Sequence, residues 1–310
     1  MRGLRNLGNT CYLNAALQCL LHVPGLTNYV LQGWAERDLA KRRVNACALA
    51  AAYVALVREY WTTEVHDRPL DPGPLLAALR KLHRPFASPA PNDAHEAVTM
   101  LLKHLHDALG RTPRIRPSPA DAGVLREPWE QHLAKDGYSI LTELFCGQSE
   151  SLVADEAGRY SSTTHEHFVG LTLDLEGCSG VSQALAKAFA PTLIDDFALE
   201  PGGQRGAVTK TTRLVHAPLI LVLHLKRFGE DGSKVDRFVS YSTTLHVPGC
   251  GGHGAHYDLF GVCMHADGHY RAACETRGTW RIMDDGAVAE IDLNSVITKE
   301  AYVLFYKKRL

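Results

Sequence analysis

The sequence predicts an α+β fold, a helical first half followed by an antiparallel β half, and three observations carry that prediction. Apolar residues recur at helical spacing in three segments before residue 110, and short β-branched or alternating runs take over from about residue 138. No repeat of the length that marks a solenoid or propeller runs through the 310 residues.

The first helix follows from Tyr12, Leu13, Ala16, Leu17, Leu20 and Leu21, with Asn9 or Thr10 as its cap and Pro24-Gly25 as its stop. A second is predicted over 46–61, where Leu49, Tyr53, Leu56, Val57 and Tyr60 share a face. A third starts at Asn92-Asp93, runs through Val98, Leu101, Leu102, Leu105 and Leu109, and meets Gly110. The stretch "RTPRIRPSP" (111–119), with three prolines and no apolar period, reads as an exposed connector.

Strands are predicted at "ILTELFC" (140–146), "HFVGLTLDL" (167–175), "PLILVLHLKRF" (218–228), "YDLFGVCM" (257–264), "HYRAACE" (269–275), "TWRIMD" (279–284) and "AYVLFY" (301–306). The run 219–225 is apolar at odd and even positions alike, which predicts a central strand covered on both faces. One helical patch, 181–189, interrupts this half.

With 45% hydrophobic and 22% charged residues, the chain can bury a core without metal or disulfide staples. Lys+Arg 33 against Asp+Glu 34, with no long basic run, points away from a nucleic acid or an anionic membrane as partner. The apolar runs are shorter than the roughly 20 residues of a spanning helix. Eight dispersed cysteines without a C-x-x-C pair suit a reducing compartment, cytoplasmic or nuclear.

Of these cysteines, Cys11 has distinctive surroundings. Burial is the ordinary fate of a helix cysteine, and Cys19 and Cys47 are read that way. Cys11 lies at the start of its helix, where unpaired backbone N–H groups stabilise a thiolate that is otherwise only about 3% populated at neutral pH. Asn6, five residues upstream, offers the amide donor that a tetrahedral oxyanion requires. His269 opens a predicted strand after an Asp267-Gly268 turn, and Asp284 closes the adjacent strand, where its carboxylate can orient the imidazole.

Four segments carry a resemblance. "GLRNLGNTCYLNAALQCL" (3–20) is similar to the cysteine box of ubiquitin-specific proteases, and "YDLFGVCMHADGHYRAACETRGTWRIMDDGAV" (257–288) with "AYVLFY" to their histidine box and closing strand. "NDAHEAVTMLL" (92–102) and "LILVLHLKRF" (219–228) resemble two further family segments, in the family's order. The resemblance implies one papain-like cysteine peptidase domain over 1–310: a helical thumb over about 1–137, mostly β fingers over 138–217 and mostly antiparallel β palm over 218–310. It implies Cys11 as nucleophile, His269 as general base, Asp284 as its orienter and Asn6 as oxyanion donor. Asp93 matches a family acid that holds the ubiquitin tail, His265 and Tyr270 match positions lining the tail channel, and Asp285 is a second candidate for the orienting or transition-state role. Ubiquitin, ubiquitinated proteins and a regulatory protein are the implied partners.

The chain departs from the family at the fingertips. Many members hold a structural zinc there between two C-x-x-C pairs; "SLVADEAGRY" (151–160) and "LEPGGQRGAVTKTTR" (199–213) contain no cysteine, so metal-free fingers and no cofactor are expected. Cys250, His253 and His256 stand close together in "CGGHGAH", but this glycine-rich segment lacks a fourth ligand. The short segments "MHADGHY" (264–270) and 228–238 predict an open channel, with Gly268 helping to keep space free. Two other readings stay open: a non-catalytic ubiquitin-binding scaffold, and a peptidase for another ubiquitin-like modifier.

Overall fold

A computed structural model describes residues 1–40, 47–63, 68–110, 125–199, 205–229, 233–249 and 254–309. The helices are α1 (Cys11–Leu21), α2 (Pro24–Leu31), α3 (Trp34–Leu39), α4 (Ala48–Thr62), α5 (Gly73–Leu82), α6 (Ala94–Leu109), α7 (Arg126–Asp136), α8 (Ile140–Phe145) and α9 (Val181–Ala188). The strands are β1 (Gly147–Ala154), β2 (Ser161–Phe168), β3 (Leu171–Asp174), β4 (Thr192–Ala198), β5 (Arg205–His216), β6 (Ile220–Lys226), β7 (Thr244–Val247), β8 (Ala255–Ala266), β9 (His269–Thr276), β10 (Thr279–Asp284), β11 (Ala287–Ile291) and β12 (Ala301–Lys308). The α+β class stands, with most helices packed on one face of a large sheet, α9 on the other, and a second, smaller sheet beside it.

The large sheet has the order β11-β10-β9-β8-β12-β6-β3, with β7 paired to β8. All its pairs are antiparallel except β3 with β6. Side chains on alternate positions of β6 and β12 enter two different cores. Ile220, Val222, Val303 and Phe305 face the helices, while Leu221, Leu223, Leu225, Leu304 and Tyr306 face α9 and the segment around Val239 and Tyr241. That double coverage is why β6 reads as an unbroken apolar run. The smaller sheet, β2-β1-β5-β4, has mostly exposed or half-buried side chains on its outer strands.

α1 runs through the middle of the helical core, and all eleven of its residues are buried. Its polar residues therefore need internal partners. Gln18 donates to the Arg2 carbonyl at 2.9 Å, and Asn14 donates to partners at the N-terminal end. The expected amphipathic helix is thus buried all round, because the sheet covers one side and α6 the other.

Several expectations change. "ILTELF" is helix, not strand: Ser139 caps it through a reciprocal capping box with Thr142, which outweighs the β-branched Ile140 and Thr142. The run 167–175 is divided between the end of β2 and the whole of β3, on different sheets. Pro24-Gly25 ends nothing by itself; α1 stops at Leu21, and Pro24 opens α2 at the position where a missing N–H costs least. β6 lies one strand in from the edge, between β12 and β3. The segment 111–119 and the residues Cys250 and His253 lie outside the described residues, so the connector and the "CGGHGAH" reading are not addressed; His256 is in β8. Among the described residues no helix is long and apolar enough to cross a membrane.

Candidate active site

Cys11 is the first residue of α1, and the first helical hydrogen bond runs from Asn14 N to Thr10 O at 3.0 Å. The amides of residues 11–13 consequently have no partner within the helix and surround the thiol with partial positive charge. The sulfur belongs to a nearly buried residue, 6% exposed. Thr10 occupies the cap position without capping: its hydroxyl accepts from Leu7 N at 2.8 Å and donates to Asn6 Oδ1 at 3.2 Å.

His269 begins β9 directly after the two-residue turn Asp267-Gly268, and Ala266 pairs with it across the hairpin. Both turn residues have positive φ, 50° and 75°, the type I′ geometry favoured in tight hairpins. A Cβ on Gly268 would meet nothing within 4 Å, so this glycine stands beside open space, and its positive φ gives it a backbone role as well. β10 returns beside β9 and ends at Asp284, whose Oδ1 lies 2.7 Å from His269 Nε2. A carboxylate there holds the proton on Nε2 and leaves the Nδ1 lone pair as the basic site.

α1 packs along β9, and the bond from Asn14 to Asp285, the neighbour of Asp284, places the start of the helix near the start of the strand. Their far ends are pinned where Cys19 Sγ lies 4.0 Å from Cys274 Sγ. Eight residues back along the helix is about 12 Å, and five back along the strand about 17 Å. The thiol and the imidazole are therefore carried to one end of the α1–sheet interface.

Asp285 joins the two ends of the chain at that place. It sits in the turn between β10 and β11 with φ 49°, its carbonyl accepts from Leu4 N at 2.8 Å, and its Oδ2 accepts from Asn6 Nδ2 at 2.8 Å. Its other oxygen accepts from Asn14 Nδ2 at 2.7 Å. Gly3 makes the approach possible, since a Cβ there would stand 2.2 Å from the Gly286 carbonyl oxygen. Asn6 Oδ1 accepts from Gly8 N at 2.9 Å and Thr10 N at 3.2 Å, so the amide oxygen is fixed and one N–H of Nδ2 remains to donate. Donor atoms of His269, Asp284 and Asp285 lie within 4.8 Å of one another, a spacing that a cation could use. Both Asp285 oxygens are already engaged by the Asn6 and Asn14 amides, and Asp284 Oδ1 by the imidazole, so these groups are committed to hydrogen bonds.

The residues expected along a tail channel form a second group. Asp93 caps α6, its Oδ1 accepting from Glu96 N at 2.9 Å, while its Oδ2 accepts from the hydroxyls of Tyr302 and, at 3.4 Å, Tyr270. Burial, reinforced by the Asp93 charge, pushes both phenols well above the ordinary tyrosine range, so they stay neutral donors. His265 stacks obliquely on Tyr270, centroids 4.4 Å apart, and burial lowers its pKa. His224 of β6 stacks on His95 of α6 at 3.9 Å; burial, then the neighbouring imidazole, lowers His224 to about 4. Helices and sheet thus meet through neutral rings.

Sequence reasoning missed Asn14, Tyr302 and Gly3. Asn14 and Tyr302 stand at positions where apolar neighbours are the rule, and a polar residue in a buried period is the signal that would have singled them out. At the fingertip, where zinc ligands were weighed, Asp155 accepts from Tyr160 N at 2.7 Å and Arg159 Nε at 3.0 Å, and Tyr160 packs on Phe197. With no thiolate and with Asp155 already committed, the segment 151–160 does not fit a tetrahedral zinc site.

A family model described as ubiquitin carboxyl-terminal hydrolase matches residues 2–306. Among curated relatives, ubiquitin carboxyl-terminal hydrolase Usp2 of Drosophila melanogaster is 28% identical over 330 residues, covering 99% of this chain and 34% of the relative. Ubiquitin carboxyl-terminal hydrolase 2 of Homo sapiens is 30% identical over 344 residues, covering 99% and 55%. The chain thus spans about a third to about half the length of these relatives. Among solved structures, the SAGA Ubp8/Sgf11/Sus1/Sgf73 DUB module bound to ubiquitin aldehyde superposes with a TM-score of 0.78 at 24% identity, covering 100% of this chain and 70% of that one, which establishes the shared fold.

Proposed function

The chain belongs to the ubiquitin carboxyl-terminal hydrolase family, and on that premise we propose that it is a cysteine-dependent deubiquitinase hydrolysing the bond after the C-terminal glycine of ubiquitin. The observation that carries this reading is the His269–Asp284 contact of 2.7 Å at the end of the α1–sheet interface where Cys11 opens its helix. The relatives' activity and the ubiquitin aldehyde on the Ubp8 module supply the substrate class.

In this mechanism the Cys11 proton passes to His269 Nδ1, and the sulfur attacks the glycine carbonyl carbon. The carbonyl oxygen gains negative charge, met by the free N–H of Asn6 and the unpaired amides opening α1. As the tetrahedral species collapses, the imidazolium gives its proton to the leaving lysine amine, and a thioester remains on Cys11. Water, deprotonated by the same imidazole, then releases the ubiquitin carboxylate and restores the thiol. Asp284 holds the ring and stabilises its charged form throughout. Asp93, Tyr270 and His265 line the approach for the tail in this reading, with Asp93 acting through the phenols it anchors.

Ubiquitin and ubiquitinated proteins are the proposed partners, with a regulatory protein by analogy with the Ubp8 module, whose name includes Sgf11, Sus1 and Sgf73. The cytosol or nucleus is the proposed compartment, in keeping with free thiols such as Cys19 and Cys263, whose sulfurs lie 3.6 Å apart without a bond. A ubiquitin probe with a C-terminal electrophile tests the reading. Covalent capture that requires Cys11 supports it; binding without capture identifies a scaffold, and capture only by a probe built on another modifier identifies a different peptidase.

A further inference from the structure

The Asp285 carboxylate is held from both sides by amides of the N-terminal segment, and only one of those amides has a place in the mechanism above. Asn6 is exposed and donates to Asp285 Oδ2, and in that mechanism its other N–H meets the oxyanion. Asn14 lies one turn beyond Cys11, 2% exposed, and cannot reach substrate except through what it holds. Its Nδ2 is 2.7 Å from Asp285 Oδ1 and also within 3.3 Å of the Leu4 carbonyl and 3.4 Å of the Arg5 carbonyl. Its Oδ1, by contrast, is buried with no hydrogen-bond partner.

An orphaned buried amide oxygen is unfavourable, and an apolar residue of similar size would avoid it. Turning the amide over would place that oxygen against the carboxylate. The arrangement makes sense if the donor side is what matters. The Asp285 backbone is already fixed by Leu4 N and by the close contact of Gly3 with Gly286, which leaves the rotation of its carboxyl group to be set. Two amide donors set it, one on each oxygen.

We propose that Asn14 is a positioning residue for the deubiquitination reaction: it fixes the Asp285 carboxylate, which takes one N–H of Asn6 and thereby aims the other at the developing oxyanion. The oxygen of the Asn6 amide is pinned by Gly8 N and Thr10, so the plane of the amide is the one freedom that Asp285 controls. Donation from Asn14 also draws down the carboxylate's negative charge on the side away from Asn6, which lessens its repulsion of the oxyanion. This inference rests on the enzymatic reading proposed above.

Steady-state turnover of a fluorogenic ubiquitin C-terminal amide by the full chain tests it, with Asn6→Ala, Asn14→Ala and the double variant. Asn14→Ala lowers kcat by about 10- to 100-fold and leaves KM within about twofold, because the defect appears only as charge develops. In the Asn6→Ala background the same substitution lowers kcat by no more than about twofold, since the amide it acts through is gone. Full multiplication of the two losses, a rise in KM with kcat intact, or unchanged activity each overturns the proposal. Should Asn14→Ala fail to fold, Asn14→Asp keeps the shape and sets two carboxylates face to face. Its kcat then falls at neutral pH and recovers towards the unmutated enzyme as the pair takes up a shared proton on acidification. A pH profile parallel to that of the unmutated enzyme overturns the proposal. Absence of Cys11-dependent turnover in the unmutated chain refutes the enzymatic reading instead and is distinguishable from every outcome above.

Discussion

The two sheets are both built largely of antiparallel strands, yet they hold their shape by different means. In the large sheet β6 and β12 are buried on both faces, and their side chains interdigitate with helices on one side and α9 on the other. In the small sheet polar side chains pair across neighbouring strands, from buried Ser151 to exposed Arg213. Ser151 meets Thr212 at 2.9 Å, and Glu150 accepts from Arg213 Nε at 2.6 Å and lies 3.1 Å from His165. Packing is costly to disturb and specifies position closely, whereas exposed polar pairs contribute little each and are screened by salt. His269, Asp284 and Asp285 stand on β9, β10 and the turn after β10, at one end of the packed sheet. The outer strands of the small sheet bury few of their side chains.

The largest expected effect falls at the site that the packed sheet supports. Cys11→Ala should lower turnover by on the order of 10⁴-fold or more, with affinity for ubiquitin retained, because the sulfur acts on the scissile bond. Calorimetric binding beside a turnover assay checks this; joint loss of affinity and activity would show that Cys11 also holds the substrate.

The contrast between the sheets predicts unequal costs for the same truncation. Leu223→Ala, at a fully buried position of β6, should destabilise by about 2–5 kcal/mol. Leu152→Ala, at a position 40% exposed in β1, should cost no more than about 0.5 kcal/mol. Urea titrations of both variants decide the matter, and equal costs would erase the distinction drawn between the sheets.

Acid should act unevenly as well. Burial lowers His22, at the end of α1, to about 4, and burial aided by His132 lowers His167, at the foot of β2, to about 4. In the unfolded chain each titrates near 6.5, so as pH falls it takes up its proton before the folded state does. Stability from these groups is complete above about pH 6.5, declines between 6.5 and 4, and is level below. His22, wholly enclosed, accounts for up to about 3 kcal/mol of that decline, and the more open His167 for less. Melts from pH 7 to 4 should therefore flatten more with His22→Asn than with His167→Asn; the opposite order would place the tighter core at the small sheet.

The smallest effect is none. With Asp155 committed to Tyr160 and Arg159 in place of thiolates at the fingertip, a chelator should leave both melting temperature and turnover unchanged. A drop in either on adding EDTA would reveal a metal in the smaller sheet.

Legibility followed the same divide. β6, β8, β9, β10 and β12 are visible in the sequence because burial demands apolar runs or alternation. β4 and β5 are not, since "TLIDDFA" and "RGAVTKTTRLVH" carry polar residues on both faces, and α8 was misread because its capping residues also have β propensity. Of the candidate site, Cys11, Asn6, His269 and Asp284 are readable from local context alone. Asn14 and Tyr302 are not, because their roles depend on partners 271 and 209 residues away.

The sequence by itself determined which segments seek a core, where the first and third predicted helices begin, and that a thiol opens one helix while an imidazole opens one strand, for these depend on neighbours within a few residues. Only the tertiary structure decided that the N-terminal segment and the β10–β11 turn meet at Asp285, and that one carboxylate answers to two amides. Contacts between distant parts of a chain are set by the packing of the whole, and no local period records them.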